Sequence, residues 1–200
     1  MKNIPTIIIL AWFIPLSSFC QTNFPIKVAL SNEATAVPFT RLFSTPIHPT
    51  IQLGTEYLYK TEPHFDLYQT GNLGYIYHNY LYQGIYFNTG IGYDYKFDFG
   101  LKLKANFELG YLHTFATREE NQFENGGYIN GTDWGNSRLM PMLSLGFGYV
   151  FRTNEIPSSE VFILYKSWIE NPYSPGFIPI MTHINFEIGY KIYINWKHEK

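Results

Sequence analysis

The feature that most constrains this chain is the alternation of apolar and polar side chains over residues 101–115. Odd positions carry mainly leucine, phenylalanine and tyrosine, and even positions carry mainly lysine, asparagine, glutamate and glycine. A period of two places these sets on opposite faces of a β-strand. Comparable two-faced segments occur at residues 51–60, 85–95, 143–151 and 184–196. Since these strands are longer than the usual five or six residues, the pattern predicts an all-β protein built on one extended antiparallel sheet.

Composition indicates which face of the sheet meets solvent. Aromatic residues make up 19% of the chain and charged residues only 15%, well below the usual quarter for a soluble domain. The apolar faces are rich in tyrosine and phenylalanine, which suit a membrane interface, and the polar faces hold both signs of charge. We therefore predict a transmembrane β-barrel with its apolar face toward lipid. A soluble lipocalin-like barrel, with the apolar face inside, is the alternative.

Turn signals separate seven strands, at residues 51–60, 66–77, 82–95, 100–115, 139–151, 159–169 and 180–196. Single-chain bacterial barrels have an even number of strands, so we place an eighth within residues 34–44. That choice also puts the longest loop, residues 116–138, on the outer side. The prediction is a single up-and-down barrel of eight strands over residues 34–200, preceded by a periplasmic lead-in at residues 21–33.

The first 20 residues have the pattern of a cleaved signal peptide. Lys2 supplies the positive start, residues 4–16 form an apolar run, and Ser18 and Cys20 suit a cut before Gln21. A membrane helix needs about 20 apolar residues, which this run lacks. A lipoprotein carrying its lipid on Cys20 is a further alternative, although Phe19 is unusual before such a cysteine.

The signal, the aromatic two-faced strands and a last strand ending in Ile192, Ile194 and Trp196 resemble the small eight-stranded barrels of the bacterial outer membrane. The Gln21 start resembles barrels of Bacteroidetes. This resemblance implies contact with the lipid bilayer and lipopolysaccharide, folding by the barrel-assembly machinery, and a monomer. Such families usually end on an aromatic residue, whereas here four more residues follow Trp196.

An eight-stranded barrel is just wide enough for side chains to fill it. The inward-facing charges are therefore expected to form a packed salt-bridge network rather than an ion path. By strand parity this lumen network consists of Glu56, Lys60, Asp94, Lys102, Lys104, Glu108, Glu187 and Lys191.

The longest loop is the main candidate for a surface interaction. Its candidate residues are Glu119, Glu120, Tyr128, Asp133 and Trp134. The spacing of a calcium-binding loop is absent, so neither a metal nor another cofactor is predicted. A net charge of −2 without a basic stripe argues against nucleic-acid binding.

Some small barrels of this kind modify lipid A with histidine and serine, and this chain also has both residue types on its predicted strands. Parity turns His113 and Ser167 toward lipid, but on strands that are not neighbours, and turns His183 and Ser144 inward. A nucleophile and its base need hydrogen-bond reach, so no catalytic residue is predicted. The expected function is a structural or surface-interaction barrel. A lipid A acyltransferase or deacylase, or a narrow pore, are the alternatives.

Overall fold

A computed structural model describes residues 23–41, 43, 45–79, 81–117, 121–124, 127–130, 134–153, 156–174 and 176–195. No helix in these ranges is long and apolar enough to cross a membrane. The strands are β1 (Asn23–Thr35), β2 (Pro49–Thr61), β3 (Phe65–Tyr77), β4 (Tyr82–Lys96), β5 (Leu101–Ala116), β6 (Asn121–Glu124), β7 (Gly127–Asn130), β8 (Asn136–Thr153), β9 (Ile156–Glu170) and β10 (Met181–Asn195).

Eight of these strands close into one antiparallel barrel in the order β1-β2-β3-β4-β5-β8-β9-β10, and β6 and β7 form a separate two-stranded sheet. The barrel closes where β1 pairs with β10, in a register that runs from Asn23 opposite Asn195 to Thr35 opposite His183. Closure satisfies the backbone of every barrel strand and leaves no open sheet edge. The predicted fold class and strand number are confirmed.

The two ends of the barrel differ. At the short-turn end, brief connections join β2 to β3 and β4 to β5, and β1 begins and β10 ends there. Gly100 has a φ of +96° in the β4–β5 turn, a conformation that favours glycine. At the long-loop end lie the described residues within 36–48, 78–81, 117–135 and 171–180.

The first strand lies earlier than predicted. We expected it within residues 34–44, after a lead-in at 21–33, but β1 spans Asn23–Thr35 and pairs with both β10 and β2. Its own alternation explains this position. Ile26 and Val28 face outward, at 45% and 43% exposed, whereas Lys27 is buried.

The apolar side chains face out and the polar ones face in. Phe107 and Phe147 are 61% and 58% exposed on the outer surface, and this position is incompatible with the lipocalin-like alternative. Phe39, between β1 and β2, also reaches this outer surface. The ring of Phe39 stacks on Tyr165 at 5.3 Å, and its backbone N–H donates to the Tyr165 hydroxyl at 2.8 Å.

Candidate functional site in the barrel lumen

In the half of the lumen near the short-turn end, charges gather around Glu160. Its carboxylate is fully buried and accepts hydrogen bonds from Lys104 Nζ at 2.8 Å, Lys191 Nζ at 3.1 Å and the Tyr193 hydroxyl at 2.6 Å. Lys102 Nζ lies 3.7 Å away. One carboxylate from β9 therefore joins lysines that come from β5 and β10.

The same lysines are neutralised by further acids. Lys104 Nζ lies 2.6 Å from Asp94 Oδ2, and Lys102 Nζ lies 3.1 Å from Asp66 Oδ2. On the other side of the network, Lys191 Nζ lies 2.7 Å from a Glu56 carboxylate oxygen. A buried charge is costly unless it is paired, and these lysines each meet at least one carboxylate. The arrangement is that of a packed network.

A second layer fills the middle of the barrel. Glu108 accepts hydrogen bonds from the Thr70 hydroxyl at 2.7 Å and the Asn72 amide at 2.9 Å. Lys166 pairs with Glu187 at 2.5 Å and donates to Gln52 at 3.0 Å. The layer thus combines amides and hydroxyls with charges, and its members come from strands on opposite sides of the barrel.

Inward-facing aromatic rings occupy much of the remaining space. Tyr86 lies over Gly74 and Tyr68 over Gly92, each glycine being the residue directly opposite on the paired strand. A methyl group at either glycine would clash with the ring, so the missing side chain makes room for the aromatic one. Beyond this packing, a cavity of about 260 Å³ lies at the short-turn end, where Pro25, Asp66, Lys96 and Arg152 contribute to its lining.

The structure places seven of the predicted lumen residues inside and one outside. Glu56, Asp94, Lys102, Lys104, Glu108, Glu187 and Lys191 are buried. Lys60 instead has a side chain that is 59% exposed and pairs with Glu62 at 3.1 Å. The cause is a register shift between Leu58 and Lys60 in the pairing of β2 with β3. An extra residue inverts the inward and outward positions that follow it.

At the long-loop end, the lumen is closed by a cluster centred on His183. Its Nδ1 lies 2.7 Å from Glu33 Oε1 and its Nε2 lies 2.9 Å from Glu170 Oε2. Both nitrogens can donate to these carboxylates only when the ring is protonated. Trp168 stacks on the imidazole at 4.1 Å, and Arg138 contacts the far side of Glu170.

Two further histidines adjoin this cluster. The rings of His48 and His78 stack with centroids 3.5 Å apart. His48 Nδ1 lies 3.2 Å from the Glu33 carbonyl oxygen, and His78 Nδ1 accepts the Leu81 backbone N–H at 3.2 Å. Burial lowers the pKa of His78 below its usual value, and the neighbouring His48 lowers it further. Glu33, His48 and His78 each bring one potential metal-ligand atom within 4.8 Å of the other two.

The sequence did not reveal that Glu33, His48, His78 and His183 meet in one cluster, called the mouth cluster below. Glu33 lay within the predicted lead-in, although its parity with Lys27 and Ala29 in β1 was a usable signal. His48 and His78 lie one residue outside β2 and β3, where strand alternation no longer predicts direction. His183 and Ser144 do face inward, and both are fully buried.

The predicted loop site is described only in part. Glu119, Glu120 and Asp133 lie outside the described residues. Tyr128 lies in β7, which pairs with β6. Trp134 is 84% exposed.

The outer surface holds a serine–histidine arrangement that the sequence did not reveal. Ser137 lies directly opposite His113 in the β5–β8 pairing, whereas Ser167 lies opposite Leu143 and Ile184. The Tyr111 hydroxyl lies between the first two side chains, 2.7 Å from Ser137 Oγ and 3.3 Å from His113 Nδ1. Among the described residues, no carboxylate bonds to His113, so the patch lacks the acid of a triad.

No family model and no curated protein matches this chain. Solved structures do. The N-terminal β-barrel domain of Pseudomonas aeruginosa OprF aligns at 10% identity, covering 87% of this chain and 98% of that one with a TM-score of 0.52. Neisserial surface protein A aligns at 8% identity, covering 85% and 95%, with a TM-score of 0.50. At such identities the likeness concerns the fold alone: this chain has the eight-stranded antiparallel fold of small outer-membrane β-barrels.

Proposed function

We propose that this protein is an integral β-barrel of the bacterial outer membrane with a closed, side-chain-filled lumen. In this proposal it has a structural or surface-interaction role rather than a catalytic one. The observation that carries the proposal is the reversal of ordinary protein polarity. Phe107 is 61% exposed on the outside, while Glu160, Asp94 and Lys104 are buried within.

The outer face supports a lipid environment. Leu53, Leu73, Ile91 and Phe147 are each at least half exposed, on four different strands. A continuous apolar surface of this kind is far larger than soluble monomers tolerate. A bilayer would cover this surface and remove it from contact with water. In such a membrane the short-turn end faces the periplasm and the long-loop end faces outward.

The expected partners follow from this placement. Lipid chains would cover the apolar belt, which consists of outward-facing side chains such as Leu53, Leu73, Ile91 and Phe147. Lipopolysaccharide would surround the long-loop end. The barrel-assembly machinery would insert the chain, and the signal peptide at residues 1–20 would export it. A closed barrel offers no strand edge to a second copy, which supports a monomer.

The long-loop end supports a surface role. Trp134 and Phe177 are 84% and 83% exposed there, and aromatic residues are enriched in protein interfaces. β6 and β7 form their own small sheet, separate from the barrel sheet. A partner outside the cell would meet these features first.

The filled lumen argues against a pore. Lysine and carboxylate pairs from β4, β5, β9 and β10 meet inside the lumen, and an eight-stranded barrel has little space beyond its own side chains. We expect no stepwise conductance from the purified protein in planar bilayers. Ohmic channels that changed on substitution of Lys104 or Glu160 would support the pore instead.

Membrane fractionation and gel mobility test the main proposal. The protein should sediment with outer membranes, need detergent for extraction, and migrate differently in unheated and boiled samples, as a closed barrel resists the detergent until heated. Recovery as a soluble monomer without detergent would contradict the proposal.

A lipid-modifying enzyme is the second candidate, and one observation favours it. Ser137, Tyr111 and His113 form a connected polar patch on the outer surface near the long-loop end. Mass spectrometry of lipid A from cells with and without the protein tests this candidate. It requires an acylation change that disappears with Ser137→Ala but persists with Ser167→Ala; unchanged lipid A counts against it.

A further inference from the structure

We propose that Glu33, His48 and His78 form a binding site for a divalent first-row transition metal, best matched by Zn²⁺, at the long-loop mouth of the barrel. This goes beyond the proposed membrane role. It assigns a ligand to a cluster that neither the lumen network nor the apolar belt explains.

The identity and the spacing of these three side chains suit a transition metal. Two imidazoles and one carboxylate are a donor set that Zn²⁺ and related metals bind well. The three potential ligand atoms lie within 4.8 Å of one another. Around a tetrahedral zinc ion with bonds of about 2.0–2.1 Å, ligand atoms lie about 3.3 Å apart. Small side-chain rotations therefore bring the three atoms to a common ion.

Two buried polar atoms of this cluster form no hydrogen bond among the described residues. They are His48 Nε2 and Glu33 Oε2, and the latter lies 3.7 Å from His48 Nδ1. Glu33 is fully buried, and His48 is 7% exposed. A buried polar atom without a hydrogen-bond partner is energetically costly, and a bound ion is one way in which proteins satisfy it. A bound cation would satisfy both of them at once.

The hydrogen bonds around Glu33 and His48 also suit metal binding. His48 Nδ1 lies 3.2 Å from the Glu33 carbonyl oxygen, so a proton held on Nδ1 leaves the Nε2 lone pair free for a metal. The other carboxylate oxygen of Glu33 faces His183 Nδ1 at 2.7 Å. Metal-binding histidines and carboxylates are commonly held by such outer hydrogen bonds.

The barrel itself makes the site rigid. Glu33 lies in β1, and His48 and His78 flank β2 and β3, which are adjacent strands. The Glu33 backbone N–H donates to the His48 carbonyl at 2.9 Å, and the His78 N–H donates to the Tyr82 carbonyl at 2.9 Å. Strand pairing therefore holds Glu33, and backbone hydrogen bonds beside the strand ends hold His48 and His78.

His78 is the ligand that must adjust. Its Nδ1 accepts the Leu81 N–H, so it binds the ion either by releasing that bond or by turning its ring to present Nε2. His78 is 8% exposed and lies at the long-loop end of the barrel. Three protein ligands leave a fourth position for water or a ligand.

Zinc titration of the full-length protein tests the site. The protein is purified in detergent without a histidine tag, stripped with chelator and titrated with ZnCl₂ in a calorimeter. We expect one ion per barrel. Glu33→Gln, His48→Gln and His78→Gln should each weaken binding at least tenfold. His64→Gln and His113→Gln change histidines outside the cluster and should bind as the unchanged protein does.

Two further measurements keep the result clear. Gel mobility of unheated samples shows whether each variant is folded. On the unchanged protein, zinc should protect His48 and His78, but not His64, from modification by diethyl pyrocarbonate. Co²⁺ should give the absorption of a tetrahedral complex. No saturable binding, equal binding by folded cluster variants, or no protection would overturn the proposal.

Discussion

The Nζ atom of Lys104 lies 2.8 Å from Glu160 Oε1, although β8 runs between the strands that carry these residues. Gly148 of β8 explains how they meet. A Cβ atom there would lie 2.6 Å from Glu160 Oε1 and 3.3 Å from Lys104 Cδ. The missing side chain leaves the space through which the two charges make contact.

Gly148→Ala should therefore weaken the folded state. The added methyl displaces the Glu160 carboxylate or the Lys104 stem, and overpacking of this kind typically costs about 1–3 kcal/mol. Urea unfolding in detergent micelles, followed by tryptophan fluorescence, measures the loss.

Gly71→Ala is the matched control for that prediction. It is a glycine in β3 whose added Cβ would meet nothing within 4 Å, so we expect little change in unfolding free energy. Equal effects of the two substitutions would mean that the space at Gly148 is unimportant.

Glu160→Gln tests the network from its centre. Lys104, Lys191 and Lys102 would lose the carboxylate that they share. Breaking a buried ion pair by removing one partner typically costs about 3–5 kcal/mol, since the other charge stays buried. Urea unfolding again gives the measurement.

Glu62→Gln is its control. Glu62 pairs with Lys60 in a contact whose side chains are 42% and 59% exposed, and exposed pairs contribute at most about 1 kcal/mol. A loss for Glu160→Gln no larger than that of this control would contradict a stabilising network.

The fold was predictable from the sequence because strand alternation is a local signal. Residues such as Phe107 and Glu108 carry opposite chemistry at adjacent positions, and each strand repeats that contrast. β1 was misplaced although Ile26 and Val28 alternate with Lys27, because its segment adjoins the predicted signal peptide. Alternation also fails wherever a register shift inverts it, as at Lys60.

The mouth cluster could not be predicted in the same way. Which side chains of paired strands meet in the lumen depends on the pairing register, and the register depends on contacts far apart in sequence. Glu33 and His183, for instance, are 150 residues apart. His48 and His78 lie beyond strand ends, where the backbone direction follows the loops.

Phe107→Arg tests whether the apolar outer face of the barrel lies in lipid. Phe107 lies near the middle of β5 and is 61% exposed. An arginine at the bilayer midplane costs about 2–4 kcal/mol on the lipid face of a barrel, and about 0–1 kcal/mol near the interface. Phe99→Arg is the control, because Phe99 is 67% exposed beside the β4–β5 turn. Folding into lipid vesicles at several urea concentrations measures both, and equal costs would contradict a midplane position for Phe107.

Replacing residues 118–133 with a short glycine–serine linker should leave the barrel intact. β6 and β7 pair with each other in a sheet separate from the barrel, so no strand pairing of the described barrel is lost. Shortening a loop changes its closure entropy only slowly with length, so we expect a change in unfolding free energy under about 1 kcal/mol. Heat-modifiable mobility and membrane insertion should persist, while binding of any partner that uses this hairpin should be lost. Loss of the folded gel band would mean that the hairpin is needed for assembly, and its role would then be structural.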